Sequence, residues 1–220
     1  MGPPTTEMLH DKAEGLDLRP LEEVAGILGA AQVQAAGAVL PVAQALAEGA
    51  RAMAETLRRG GRLYYVGAGS SGLMAAADAL ELGGTFGVPE ARVRILMAGG
   101  LPTSAAMPGG TEDETDGLDT GLADLTGDDT LIAVAASGAT PYTLAAVRIA
   151  KARGACVIAL ANNPGSPLLD AADIPVTLDT PPEVISGSTR LGAATAQKIA
   201  LNCMSTLMGV AIGAVHDGMM

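Results

Sequence analysis

The chain has 220 residues, of which 49% are apolar and 2% are aromatic, and its formal net charge at pH 7 is -11. This length is sufficient for one large domain with a sizeable core. The negative charge argues against nucleic acid as a partner, because phosphate backbones favour clustered Lys and Arg. No signal-like segment and no run of about 20 apolar residues is evident, so we predict a cytoplasmic protein without a membrane contact.

The N-terminal part of the chain precedes the first strand and is divided into two regions. Residues 1–16 are polar and contain two prolines, which predicts a flexible N-terminal arm ahead of a single domain at 17–220. From Leu18 to Leu57 apolar positions recur at helical spacing, and Pro41 marks a break. We therefore predict a helical hairpin, which suits either core packing or a partner interface.

Short apolar runs then alternate with helical segments through the rest of the chain. Helices are predicted over 70–82 and 141–153, and a long Ala- and Met-rich helix follows Thr189. This alternation is typical of an α/β fold, here a three-layer αβα sandwich with a five-stranded parallel sheet of flavodoxin-like type. The predicted strands are 62–66, 93–97, 131–135, 156–160 and 174–178.

Small polar residues lie at three turns of this predicted sheet. The carboxyl ends of parallel strands share one edge, where helix N-termini favour anions. A serine before a helix is, taken singly, more often an N-cap, but three such turns together favour a phosphate site. The predicted binding residues are Gly69, Ser70 and Ser71 after the first strand, Ser137, Gly138 and Thr140 after the third, and Ser186, Ser188 and Thr189 before the last helix.

Other ligand classes fit these turns less well. The Gly67-Ala68-Gly69 turn has the spacing of a dinucleotide fingerprint, but no acidic residue ends a second strand about 20 residues later. A P-loop lysine is also missing. Cys156 and Cys203 lie far apart in apolar runs, which predicts buried thiols in a reducing compartment, and no metal site or cofactor is expected.

Several motifs of the chain occur together in one known family. They are Gly61-Arg62-Leu63, Gly67 to Gly72, Asp78-Ala79-Leu80-Glu81, Thr85 to Pro89, Ala98-Gly99-Gly100, Ala135 to Gly138 with Thr140-Pro141-Tyr142, Asn163-Pro164-Gly165-Ser166, and Glu183 to Leu191 with Thr195-Ala196-Gln197-Lys198. With these motifs the chain resembles the sugar isomerase (SIS) domain family and, within it, the N-acetylmuramic acid 6-phosphate etherases. The resemblance extends from about Leu18 to Met220.

This resemblance implies an amino sugar 6-phosphate ligand, a homodimer and a lyase reaction. The phosphate of this ligand would be held by the hydroxyls of Ser70, Ser71, Ser137 and Thr140. Glu81 matches the family's acid, which protonates the departing lactyl ether oxygen. A second glutamate would remove the proton next to the aldehyde of the opened sugar. Elimination and water addition would then release D-lactate and leave N-acetylglucosamine 6-phosphate, which requires one protonated and one ionised carboxyl group.

The second carboxylate is where the chain departs from the resemblance. The family's base position corresponds to Pro108, and proline cannot accept a proton. Glu112, Asp113 and Glu114 follow in an acidic loop, and Glu114 is taken as the candidate base. Positions where the family has cationic residues are occupied by Leu73, Ala139 and Gly192.

Two other functions therefore remain open. A phosphosugar isomerase commonly needs a glutamate and a histidine, and the chain offers only His10 in the arm and His216 near its C-terminal end. A non-catalytic phosphosugar sensor is favoured by Pro108 and by the missing cations. D-lactate release would distinguish the lyase from both alternatives.

Overall fold

The computed structural model describes residues 5–107 and 110–220, and its centre is one parallel sheet. The strands are β1 (Leu63–Gly67), β2 (Val93–Met97), β3 (Thr130–Ala135), β4 (Cys156–Ala161) and β5 (Ile174–Thr177). They lie in the order β2-β1-β3-β4-β5, and every neighbouring pair is parallel. This arrangement confirms the predicted α/β fold.

Helices cover both faces of this sheet. The helices are α1 (Leu21–Ala36), α2 (Ala43–Arg58), α3 (Gly69–Phe86), α4 (Leu118–Gly121), α5 (Pro141–Ala152), α6 (Pro167–Ala171) and α7 (Gly192–Ala211). Along β1, Leu63 and Tyr65 belong to the core shared with α2, α3 and α7, whereas Tyr64 and Val66 belong to the core under α4, α5 and α6. The period of two thus buries alternate residues on opposite faces, as the three-layer prediction requires.

The first two helices do not form the predicted hairpin. They are joined by a 3-10 segment, Gly37–Val42, into one helical stretch of 38 residues, and both pack against α7. Pro41 lies inside the 3-10 segment, which carries the chain onward without a reversing turn. Three apolar side chains of this stretch are largely exposed, Leu21 at 84%, Val33 at 76% and Leu40 at 82%.

The two cysteines are less buried than the sequence predicts. Cys156 is half-buried and Cys203 is exposed, so the prediction of two buried thiols is wrong. An Ala-rich helix is apolar on most sides, and sequence cannot tell which side of α7 stays uncovered. By length and composition alone, the stretch Leu21–Arg58 could also cross a membrane, although core helices of soluble proteins pass the same test.

A buried carboxylate connects the sheet to two helices. Asp78 of α3 accepts hydrogen bonds from the Tyr65 hydroxyl at 3.0 Å, the Asn202 amide at 2.8 Å and the Ser205 hydroxyl at 2.8 Å. Burial raises the pKa of Asp78 above its usual value, although these three bonds oppose the shift. All three partners can also accept hydrogen bonds, so the cluster can hold either a charged or a neutral group at position 78.

Substituting Asp78 should separate loss of the cluster from loss of its charge. We expect Asp78→Ala to lower the free energy of unfolding by about 2–4 kcal/mol, because three polar groups lose a buried partner. Asp78→Asn should cost less, since the three partners can reorient. Urea unfolding measures both changes.

The pH dependence of the same substitutions has a defined sign. A raised folded-state pKa means that the folded protein binds the proton more tightly than the unfolded chain, so the contribution of Asp78 falls as pH rises through the shifted pKa. Wild type should therefore gain stability relative to Asp78→Asn as the pH is lowered through the raised pKa of Asp78 toward the ordinary carboxyl pKa. An unchanged difference would contradict the assignment.

Candidate functional site

The turn between β1 and α3 leaves the start of a long helix open to a ligand. At Gly67 a Cβ atom would lie 2.8 Å from the Gly72 Cα atom, and Gly69 has φ +52°, so both positions favour glycine. Ala68 provides no side-chain cap for the helix. The first backbone N–H groups of α3 are therefore available to an anion, beside the hydroxyls of Ser70 and Ser71.

The turn between β3 and α5 provides a second set of hydroxyls. Ser137 Oγ accepts the Ala139 N–H at 3.1 Å and lies 3.4 Å from Thr140 Oγ1. A Cβ atom at Gly138 would lie on top of the Ser166 side chain, so only glycine fits there. Pro141 begins α5, and the Thr140 side chain does not cap it. This turn thus holds Ser137 and Thr140 side by side.

These two turns meet at one polar cavity of about 220 Å³. Five residues predicted to bind the phosphosugar lie on its wall: Ser70, Ser71, Ser137, Thr140 and Thr189. The others on the wall are Thr6, Glu7, Ala68, Glu112, Ala136 and Gly187. None of the residues in this lining set is Lys or Arg. An anion in the cavity would therefore be bound by hydroxyl groups and by the N-termini of helices.

Two predicted serines are absent from that wall. Ser186 is exposed, and its Oγ donates to the Glu7 carbonyl at 3.3 Å. Ser188 is half-buried, and its N–H donates to the Ile185 carbonyl at 2.9 Å. The intervening Gly187 lies on the wall instead. The predicted loop therefore reaches the cavity through Gly187 and Thr189, and the sequence alone could not tell which of its residues face the cavity.

Among the acidic loop residues, Glu112 is on the cavity wall and Glu114 is not. Glu112 belongs to the 3-10 turn Thr111–Asp113, and a Cβ atom at Gly69 would lie 3.3 Å from its Oε1 atom. Its carboxylate therefore approaches the start of α3. Pro108, the position of the expected base, lies outside the described residues.

Glu81 lies far from this cavity along its own helix. It is exposed and lies 12 residues beyond Gly69, which corresponds to about 18 Å of helix. That separation exceeds the reach of one hexose phosphate bound at Ser70. The two histidines are also outside the lining set, since His10 lines a separate cavity beside Pro181 and His216 is near the C-terminal end.

Buried polar residues behind the wall hold the loops in place, and two of them were not singled out as site residues. Asn163 donates from Nδ2 to the Ser137 carbonyl at 3.2 Å. Glu183 accepts the N–H groups of Gly192 and Ala193 at 2.9 and 2.8 Å, which fixes the start of α7. Both residues occur in motifs that carry the family resemblance, and this was the signal that could have marked them.

Thr6 and Glu7 are the wall residues that sequence analysis placed outside any site. Within the segment predicted as a flexible arm, Thr5–Glu7 forms a 3-10 turn, and Thr6 is buried. Its partner Asn163 is 157 residues away. No pattern local to the first 16 residues indicates such a contact.

Comparison with known proteins gives a consistent result. The SIS domain family profile matches residues 32–162. The chain is 46% identical over 220 residues to the N-acetylmuramic acid 6-phosphate etherase of Deinococcus radiodurans, covering 99% of this chain and 72% of that protein. It is 40% identical over 225 residues to the protein of the same name from Rubrobacter xylanophilus, covering 100% and 74%.

Solved structures show the same fold at lower identity. A phosphoheptose isomerase from Neisseria gonorrhoeae superposes with a TM-score of 0.60 at 19% identity, covering 89% of this chain and 100% of that one. The Vibrio vulnificus NanR protein complexed with ManNAc-6P superposes with a TM-score of 0.61 at 17% identity, covering 91% and 66%. At these identities the likeness concerns the fold alone.

Proposed function

Because the chain belongs to the SIS domain family and, within it, to the N-acetylmuramic acid 6-phosphate etherases, we propose that it is a carbon–oxygen lyase acting on N-acetylmuramic acid 6-phosphate. The observation that carries this proposal is the hydroxyl-lined cavity between the starts of α3 and α5, with a carboxylate on its wall. The sugar phosphate would bind there through Ser70, Ser71, Ser137 and Thr140. Because such a phosphorylated sugar occurs in the cytoplasm, we propose that the protein is cytoplasmic too. No nucleic acid or membrane partner is expected.

We propose Glu112, rather than Glu114, as the base. In the ring-opened sugar, its carboxylate would take the proton from C2 while the C3–O bond to the lactyl group breaks. The departing oxygen takes a proton from an acid, which forms D-lactate and leaves a C2=C3 double bond. Water then adds its oxygen to C3 and a proton to C2. The products are N-acetylglucosamine 6-phosphate and D-lactate, so the overall reaction consumes one water molecule.

We propose that Glu81 acts as the acid in the cavity of a second copy of the chain. A homodimer is supported by a neighbouring apolar groove of about 580 Å³ between the Gly37–Val42 segment and α7. Asn202, which binds Asp78, lines this groove, and Glu81 follows Asp78 by three residues. Exposed or half-buried apolar residues of the groove that a second copy would cover are Leu40, Ala43, Ile199 and Leu207.

The test of the reaction is D-lactate release from N-acetylmuramic acid 6-phosphate by the purified protein. Stoichiometric D-lactate and N-acetylglucosamine 6-phosphate are expected. A folded protein that binds N-acetylglucosamine 6-phosphate but releases no D-lactate would instead support a non-catalytic sensor, which the absence of cationic side chains from the cavity's lining set favours as the second candidate.

Ser137→Ala tests the phosphate contact directly. We expect it to weaken binding of N-acetylglucosamine 6-phosphate by about 1–2 kcal/mol, because a hydroxyl that bonds a charged phosphate contributes about that much. Isothermal titration calorimetry measures the change. Ser188→Ala is the matched control, since that hydroxyl is near the cavity without lying on its wall. Equal affinity in the two variants would remove Ser137 from the site.

A further inference from the structure

The N-terminal strap, Thr5–Glu7, is held against the phosphate turns by a reciprocal pair of hydrogen bonds. The Thr6 N–H donates to Asn163 Oδ1 at 3.3 Å, and Asn163 Nδ2 donates to Thr6 Oγ1 at 3.0 Å. Thr6 is 4% exposed and Asn163 is 6% exposed, so solvent does not compete strongly for these bonds. The strap therefore has a defined position over the carboxyl end of β4.

The same amide group connects the strap to the phosphate-binding turn. Asn163 Nδ2 also lies 3.2 Å from the carbonyl oxygen of Ser137. A side-chain amide has two N–H donors, which suffices for Thr6 and Ser137 together. A shift of the strap would therefore move the Asn163 amide and, through it, the turn that carries Ser137.

A second contact fixes the other end of the strap. Ser186 Oγ donates to the Glu7 carbonyl at 3.3 Å, which connects the strap to the loop before α7. Thr6, Glu7, Gly187 and Thr189 then lie together on the cavity wall. Residues from the beginning and from the last third of the chain therefore close one side of the site.

We propose that the N-terminal strap is part of the amino sugar phosphate site and that Glu7 determines specificity for the sugar end of the ligand; this rests on the function proposed above. A phosphate is attracted to the helix N-termini and hydroxyls and is repelled by the Glu7 carboxylate. A carboxylate only accepts hydrogen bonds, and the hydroxyl and acetamido N–H groups of the sugar can donate them. The ligand would thus lie with its phosphate toward Ser70 and Ser137 and its sugar toward the strap.

Glu7→Gln separates this role from a general effect on the cavity. We expect it to weaken binding of N-acetylglucosamine 6-phosphate about tenfold, because a charge-assisted hydrogen bond is lost. Binding of inorganic phosphate should stay the same or become tighter, because one repulsive charge is removed. Titration calorimetry on the full chain measures both affinities. Glu22→Gln is the matched control. Glu22 is exposed on α1, so this substitution removes the same charge at a place outside the cavity.

Thr6→Val, which keeps the shape of the side chain but removes its hydroxyl, provides a second measurement. It should reduce the preference for the sugar phosphate over inorganic phosphate in the same direction. In wild type, hydrogen exchange of the strap amides should slow when N-acetylglucosamine 6-phosphate is added and should change little with inorganic phosphate.

The outcomes distinguish the two proposals. If wild type binds the sugar phosphate and Glu7→Gln binds it equally well, or if both ligands weaken by the same factor, the role of the strap is wrong; the proposed function is then decided separately by the D-lactate assay. If wild type binds no amino sugar phosphate, both proposals are wrong. A thermal melt of each variant identifies any loss of folding.

Discussion

Replacing Glu112 by Gln is expected to reduce D-lactate release by about 10²–10⁴-fold, the usual contribution of a general base. Glutamine keeps the size of the side chain but cannot accept a proton. Binding of N-acetylglucosamine 6-phosphate should persist or become tighter, because the Glu112 carboxylate repels a phosphate bound at the start of α3 and glutamine does not. The rate constant kcat and the dissociation constant Kd, measured on the same preparation, separate these two effects.

Glu114→Gln is the control for this experiment. Glu114 is two residues from Glu112 in the same acidic loop, is exposed and lies off the cavity wall. We expect its kcat to remain near that of wild type. The reverse result, with activity lost in Glu114→Gln and retained in Glu112→Gln, would contradict the assignment of the base.

Mixing two inactive variants is expected to restore activity if Glu81 acts in the cavity of the partner copy. Glu81→Gln and Glu112→Gln should each be inactive alone. In a mixed dimer, one site loses both carboxyl groups and the other keeps both. Random exchange of equal amounts should therefore recover activity in about a quarter of all sites, since half of the dimers are mixed. Co-purification with two different affinity tags isolates the mixed dimers, and the D-lactate assay measures them.

A second mixed dimer gives the opposite pattern and serves as the control. Wild type paired with the double variant Glu81→Gln, Glu112→Gln should be inactive if each site uses both copies, because neither site then holds both carboxyl groups. If each site is built from one copy, that dimer keeps one working site and the first mixture recovers nothing. A monomer in sedimentation would also contradict the dimer.

The fold could be predicted because its signals are local. Apolar runs bounded by glycine turns mark the strands, and the predicted bounds of β2, 93–97, agree with the structure. The continuous connection from α1 to α2 could not be predicted, because a proline between two helical patterns is compatible with a hairpin and with a 3-10 segment equally. Tertiary packing against α7 decides between them.

The residues of the candidate site could be predicted only where the topology of the sheet fixes their place. Ser70, Ser137 and Thr140 follow strand ends directly, so the topology brings them to the cavity. An acidic loop has no such constraint, and only its folded path distinguishes Glu112 from Glu114. Contacts between distant residues, such as Thr6 with Asn163, have no sequence periodicity that would reveal them.

The Asn163 amide also orders the steps by which the site is assembled. Thr6 and Glu7 contact residues that lie 157 and 179 positions later in the sequence, so the strap can dock only after β4 and the loop at Ser186 have come together. Contacts of such long sequence separation form late, because a large loop must close first. The sheet can therefore fold before the cavity is complete, and acquisition of ligand binding should lag behind burial of the core during refolding.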